Sequence, residues 1–238
     1  MTSESGFPWE SVWVKSRYSR NENRLRKAEM KLGAFKRMGA LQGPLGRVLE
    51  IGCGNCTFVK IANESGIILD SFVGVDKSDS ALERAEQNIQ NIPNARLIAG
   101  DACDLPLSPS SVDTIIALGV LEHIADLDTC LRELARVSAP GARLLISTSN
   151  TRSLMYPMRL FRQWVGAWRY GFQRNDSAET LEHSLRPFFK ISSIASLHGD
   201  RDYIFSTLLD KLIGTVNQRW GRYVLAEAQL KELGGSDV

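Results

Sequence analysis

Histidine and cysteine are scarce in this chain, and long apolar runs are missing. Its 238 residues hold three histidines and four cysteines, Cys53, Cys56, Cys103 and Cys130. These are too few and too clustered for the disulfide framework of a small secreted scaffold. No stretch approaches about 18 consecutive apolar residues without a charge, so no bilayer-spanning helix is expected. An excess of one charge is also lacking, because 29 Lys and Arg stand against 27 Asp and Glu. That balance excludes a histone-like polycation and a highly charged disordered chain. Residues 1–13 lack the basic-then-apolar pattern of a secretion signal. A cytoplasmic location is therefore expected, with peripheral contact at a membrane left open. What is present is enough apolar material, 43% of residues, to fill one continuous core.

We read residues 1–238 as one domain with four parts: a basic helical segment (1–43), a regular core (44–150), a lid-like insertion (151–175) and the remainder of a sheet (176–238). In the core, short aliphatic runs at 47–52, 72–76, 95–100, 112–119 and 142–148 alternate with amphipathic stretches such as Ala81, Leu82, Ala85, Ile89 and Leu127, Leu131, Leu134, Val137. Nearly continuous apolar runs suit parallel strands covered on both faces, and the intervening 3.6-residue periodicity suits crossover helices. The fold class is therefore α/β, a doubly wound Rossmann-like sheet. Ser78 with Asp79, and Asp126 with Asp128, are placed to cap two helices, and Pro140-Gly141 is expected to close the second. Between Lys15 and Arg37, nine basic residues face two acids on an expected helix ending near Gly39. After Asn150, Leu154, Met158, Phe161, Val165 and Trp168 follow 4, 3, 4, 3 spacing, which predicts one helical face. Pro157 should begin or kink that helix. Beyond it, we expect a helix (178–186), a strand (188–197), an amphipathic helix (203–220) and a last strand (223–228).

The most informative segment is VLEIGCGNC, in which a strand runs into Gly52-Cys53-Gly54 and then into a helix near Asn55. Glycines there let backbone approach a ligand closely. A dinucleotide fingerprint would place a third glycine where Thr57 stands, and Glu50 would crowd a pyrophosphate, so NAD is disfavoured. An acid two residues before the turn suits a cationic ligand end, such as an amino acid ammonium beside a sulfonium. Asp76 closes the next strand, where a carboxylate can accept ribose hydroxyls, and Gly100-Asp101-Ala102 closes the one after, where an acid can accept an adenine amino group. Cys53 and Cys56 have C-x-x-C spacing but no second pair, so no metal site is expected.

These residues, together with VDTIIALGVLEHI (112–124) and LARVSAPGARLLIS (134–147), resemble the ordered motifs of class I S-adenosylmethionine-dependent methyltransferases over about residues 46–150. The form Leu121-Glu122-His123-Ile124 is similar to the small-molecule branch, including ubiquinone-pathway O-methyltransferases. The resemblance implies seven strands with the last antiparallel, and S-adenosyl-L-methionine as cofactor with S-adenosyl-L-homocysteine as product. It assigns Gly52 and Gly54 to the methionine part, Asp76 to the ribose, Asp101 to the adenine and the backbone of Leu118 and Gly119 to the methionyl end, and Glu50, Cys53, Lys77 and Ala102 are expected to bind the cofactor with them. It also suggests that Tyr18 closes over the cofactor. Many members carry another glycine near Asn55 or Cys56, and this chain does not.

Methyl transfer asks mainly for positioning, with nucleophile and methyl carbon about 3–3.5 Å apart. His123, just past the fourth strand, is the expected base for a hydroxyl acceptor. Asn150, Tyr156, Phe161, Trp164 and Trp168 are expected to shape the acceptor pocket, and the arginines among residues 152–174 suit an anionic acceptor or a phospholipid surface. The expected acceptor is a small, partly apolar molecule methylated at oxygen or nitrogen, and the protein a monomer or homodimer. The alternatives are an RNA or protein acceptor, or a non-catalytic cofactor-binding protein engaging a partner through its basic helices. No N/D-P-P-Y-like site follows the fourth strand, which weighs against nucleobase chemistry.

Overall fold

The computed structural model describes residues 8–14, 19–198, 212–217 and 219–231. Its seven strands are β1 (Arg47–Ile51), β2 (Ser71–Asp76), β3 (Ala95–Ala99), β4 (Val112–Leu118), β5 (Ser138–Ser149), β6 (Phe189–Leu197) and β7 (Tyr223–Leu230). They form one sheet in the order β3-β2-β1-β4-β5-β7-β6. β7 alone runs against its neighbours, pairing antiparallel with both β5 and β6. The doubly wound sheet and its reversed last strand are thus as the sequence predicts. Chain order reverses between β1 and β4, so a crevice opens at their carboxyl ends, where ligands of such sheets bind.

The helices are α1 (Pro8–Val14), α2 (Ser19–Arg37), α3 (Thr57–Glu64), α4 (Asp79–Ile89), α5 (Leu127–Val137), α6 (Met155–Trp164) and α7 (Ala178–Leu185). Strand parity divides the core in two. Leu49 and Ile51 of β1 pack with Leu131, Leu134 and Leu181 of α5 and α7. Val48 points the other way, into the cluster of Leu32, Phe35, Phe58 and Val59 from α2 and α3. Glu50 shares Val48's parity, so its carboxylate enters the α2 side. The caps follow expectation: Ser78 Oγ accepts from Ala81 N, and Asp126 Oδ1 accepts from Thr129 N at 3.1 Å.

Three expectations are corrected. Pro140-Gly141 does not close α5, which ends at Val137; it lies inside β5, where the β4–β5 register shifts. Gly141, at φ +77°, absorbs the irregularity. α6 is shorter than the 4, 3, 4, 3 pattern implied and ends before Trp168. Pro157 sits in its first turn, where a missing N–H is harmless. Phe161 and Trp164 face solvent at 60% and 83% exposure, because the α6 face turned to the protein is that of Met155, Met158 and Arg159. Most of the expected helix at 203–220 lies outside the described residues.

Candidate active site

One cavity opens at the carboxyl end of β4 and another at the carboxyl end of β5. The first, about 270 Å³, is lined by Gly52, Gly54, Asp76, Lys77, Asp101, Ala102, Leu118, Gly119 and His123, all expected from sequence, and by Trp9 and Trp13, which were not. Its floor is the turn after β1. Gly52 and Gly54 both have φ +55°, and a Cβ would stand 2.5 Å from Val120 Cγ2 at the first and 2.6 Å from Trp13 Cζ2 at the second. Only glycine fits there. Cys56, the residue preceding α3, is held at φ +56°. A non-glycine residue in that conformation costs about 1–2 kcal/mol. Cys53, between Gly52 and Gly54, does not line the cavity: its N–H donates to Val75 O at 3.1 Å and its side chain packs against Gly74. Burial and their mutual contact hold the Cys53 thiol above its ordinary value, and Cys56 is raised as well, so neither is a reactive thiolate.

Asp76 braces this turn. Its Oδ2 accepts from Gly54 N at 2.8 Å and its Oδ1 from Ser78 N at 2.9 Å, tying the end of β2 to the glycine turn and to the start of α4. Burial raises its carboxyl despite those bonds. Asp101 carries Lys77 at 2.6 Å across the cleft edge. Burial pushes the Asp101 carboxyl up, but Lys77 and the Cys103 N–H outweigh it and leave it below the usual range.

Behind the turn lies a buried charge cluster that the sequence reading half missed. Glu50 is 4% exposed, and one of its oxygens has no hydrogen-bond partner. Burial raises its carboxyl to about 8. Lys31 of α2 reaches the same place, and burial lowers its ammonium to about 8, against the pull of Glu122 and Glu50. A Cβ on Gly119 would be 3.9 Å from Lys31 Nζ and 4.0 Å from Glu122 Oε1. Glu122, 3% exposed, accepts from Ser149 N at 3.2 Å and Ser149 Oγ at 3.3 Å. No periodicity announced Lys31, since on a helix with many basic residues nothing distinguishes the one that turns inward.

His123 Nδ1 lies 2.7 Å from Phe172 O. A carbonyl only accepts, so Nδ1 holds a hydrogen, and in the neutral ring Nε2 carries the lone pair. Trp9 packs edge-on to His123 at 4.8 Å and lies 5.4 Å from Tyr170. Trp13, capped by Arg24 at 3.7 Å, covers Gly54. α1 thus roofs the cleft; proline as its first residue and tryptophans four apart are the signals that could have revealed it. Tyr18, the expected cover, lies outside the described residues.

The second cavity, about 400 Å³, contains Asn150, Tyr156 and Trp168, as expected, but not Phe161 or Trp164. Tyr170, Arg222 and Tyr223 complete its wall. Trp9 against Tyr170, and Glu122 between Gly119 and Ser149, form the partition between the cavities.

The residues of the first cavity fit S-adenosylmethionine: a glycine cradle, a buried carboxylate with a spare oxygen behind it, and acids ending three successive strands. The family described as "Methyltransferase domain" matches residues 43–184. An O-methyltransferase of Aspergillus sclerotiorum is 34% identical over 104 residues, covering 42% of this chain and 38% of that protein. Demethylmenaquinone methyltransferase of Staphylococcus carnosus is 26% identical over 129 residues, 54% of each. The chain thus spans about half or less of these relatives' length. A chain of the complex between the Haloferax volcanii Trm112 methyltransferase activator and a methyltransferase superposes with TM-score 0.73 at 15% identity, covering 96% of this chain and 99% of that one. At that identity it shows the fold alone. With more than half of its residues inside the matched family, the chain belongs to the methyltransferase domain family and is a class I S-adenosylmethionine-dependent methyltransferase domain.

Proposed function

We propose that this protein transfers a methyl group to an oxygen or nitrogen of a small, partly apolar acceptor held in the second cavity. The observation that carries this reading is the pair of cavities sharing one partition at Gly119, Glu122 and Tyr170. When bound, the cofactor supplies a sulfonium-activated methyl group. Glu50 would hold its ammonium, Asp76 its ribose hydroxyls and Asp101 its adenine, while Trp9 and Trp13 would exclude water. A hydroxyl acceptor would have to give up its proton to a side chain of this protein as it took that methyl group. His123 is the base in this reading, because its Nδ1–H is committed to Phe172 and its Nε2 is left to accept.

We place the whole function in a single domain, with 1–43 covering the cofactor, 44–150 binding it, and 151–175 with part of 176–238 enclosing the acceptor. No helix among the described residues is long and apolar enough to cross a membrane. The exposed face of Leu160, Phe161, Trp164 and Val165 beside exposed Arg162 supports peripheral membrane contact. Calorimetric titration with S-adenosylmethionine and S-adenosylhomocysteine, with NAD as control, tests the cofactor, and tritium-methyl transfer to a panel of phenols and amines tests the reaction. Cofactor binding without turnover on small molecules, RNA or protein would favour a non-catalytic role.

A further inference from the structure

We infer that the second cavity recognises an acidic acceptor: an anionic group, carboxylate or phosphate, seated against Arg159 with its apolar body among the surrounding aromatic rings. This rests on the reading above that the cavity holds the acceptor. Four cationic side chains, Lys27, Arg159, Arg162 and Arg222, line the wall, and no Asp or Glu does. Tyr156, Trp168, Tyr170 and Tyr223 supply flat apolar surface between them.

Arg159 decides the matter. It is 8% exposed, yet its hydrogen bonds go to neutral groups, Arg174 O at 3.3 Å and Asn175 Oδ1. Its Nε has no hydrogen-bond partner, and Glu122 and Asp176 act on it as nearby charges without hydrogen-bonding to it. The acids around it are committed elsewhere. Asp176 pairs with Arg174 at 2.8 Å and accepts from Thr148 at 3.0 Å, while Glu122 lies behind Ser149. A buried guanidinium with no directly bonded counter-ion is costly, and replacing it with an apolar residue would usually stabilise the protein. Burial does depress its ionisation, as the physics requires. An incoming anion supplies the missing charge, and a guanidinium matches the planar geometry of a carboxylate or phosphate. The flat walls then select a ring of one or two fused cycles, with its acidic group against Arg159.

The test uses 6-hydroxy-2-naphthoate, its neutral isostere 6-hydroxy-2-naphthamide, and 2-naphthyl phosphate, titrated into the full-length protein saturated with S-adenosylhomocysteine. The naphthoate or the phosphate should bind about tenfold to a hundredfold more tightly than the amide, the range of one charged hydrogen-bonded contact. Arg159→Gln should erase that preference while leaving S-adenosylhomocysteine affinity unchanged. The charge reversal Arg162→Glu, at an exposed position, keeps the question open to test should the buried variant fail to fold; it should weaken both acids and spare the amide. The carboxylate and phosphate arms distinguish the two headgroups. Equal binding of acids and amide, no binding of either acid at millimolar concentration, or a preference that survives both variants would overturn the inference. Failure to bind S-adenosylhomocysteine would instead strike the cofactor reading itself.

Discussion

Cofactor binding should release close to one proton near neutral pH. Glu50 and Lys31 share a buried site and both titrate near 8, the first raised and the second lowered chiefly by burial. At pH 7 the pair therefore holds a neutral carboxyl and a charged ammonium, a net +1. A ligand ammonium arriving beside them disfavours that state, and the pair answers by losing one proton, whichever atom gives it up. With a value near 8, the carboxyl is about 90% protonated at pH 7, so roughly 0.9 of a proton is the ceiling for release. The sign follows directly. The ionised carboxylate is the form that receives the ligand, so affinity rises as pH rises. Between pH 6 and 8 the ionised fraction grows from about 1% to about 50%, so S-adenosylhomocysteine affinity should climb by up to roughly fiftyfold and then level. Calorimetry in two buffers of different ionisation enthalpy reads the proton count directly. Glu50→Gln should remove most of the release and flatten the slope. A pH-independent affinity with no proton release in the wild-type protein would refute the assignment of Glu50 to the ammonium.

Asp76→Ala should weaken cofactor binding by roughly tenfold or more, since charge-assisted hydrogen bonds contribute about 1.5–3 kcal/mol each and the variant also unties Gly54 and Ser78 from β2; unchanged affinity by calorimetry would remove the ribose assignment. His123→Ala should lower turnover on a hydroxyl acceptor with little change in cofactor affinity, and wild-type rates would return the residue to a structural role beside Phe172. Asp126→Ala removes the cap on α5 and should lower stability by about 1 kcal/mol in denaturant unfolding. Trp164→Ala with Phe161→Ala should reduce co-sedimentation with anionic phospholipid vesicles without altering the cofactor titration; equal sedimentation would dismiss membrane contact through α6.

The sheet was legible because its information is local. Five runs of aliphatic residues, four of them closed by a glycine or an acid, leave little choice but parallel strands with binding groups at their ends. The cofactor cleft inherits that legibility, since Gly52, Gly54, Asp76, Asp101 and Gly119 sit at strand ends fixed by register. The acceptor side was read only in part, for a reason of geometry. A 4, 3, 4, 3 pattern identifies a helical face but not which direction the face points, and α6 stops at Trp164, so Trp168 reaches the cavity from the loop beyond. Phe161 and Trp164 share the apolar character of that pattern and still point outward.

The residues that complete the site come from outside the matched span. Residues 43–184 carry the cofactor turn and most of the second cavity, but Trp9, Trp13, Lys27, Lys31, Arg222 and Tyr223 lie beyond it on either side. Strand parity explains why the flanks meet there. Glu50 turns to the α2 face, so α2 must offer it a cation, and a lysine at position 31 does so two turns before the helix ends. β7 pairs with β5 through Ser149↔Tyr223, so the start of the last strand is delivered to the same partition. Lys31 Nζ stands 5.5 Å from the Tyr223 ring, which joins the two flanks across the site. The core between them fixes where the methyl group is presented. The flanks add Trp9 and Trp13 over the cofactor cleft and Lys27, Arg222 and Tyr223 to the second cavity, so two proteins with the same central motifs and different flanks should bind the same cofactor and differ in the acceptors they take. Tyr223→Phe, which preserves the ring facing Lys31, should spare both cofactor and acceptor binding. Tyr223→Ala should open the partition and impair acceptor turnover more than S-adenosylhomocysteine affinity, and equal loss of both would show that the ring merely supports the fold.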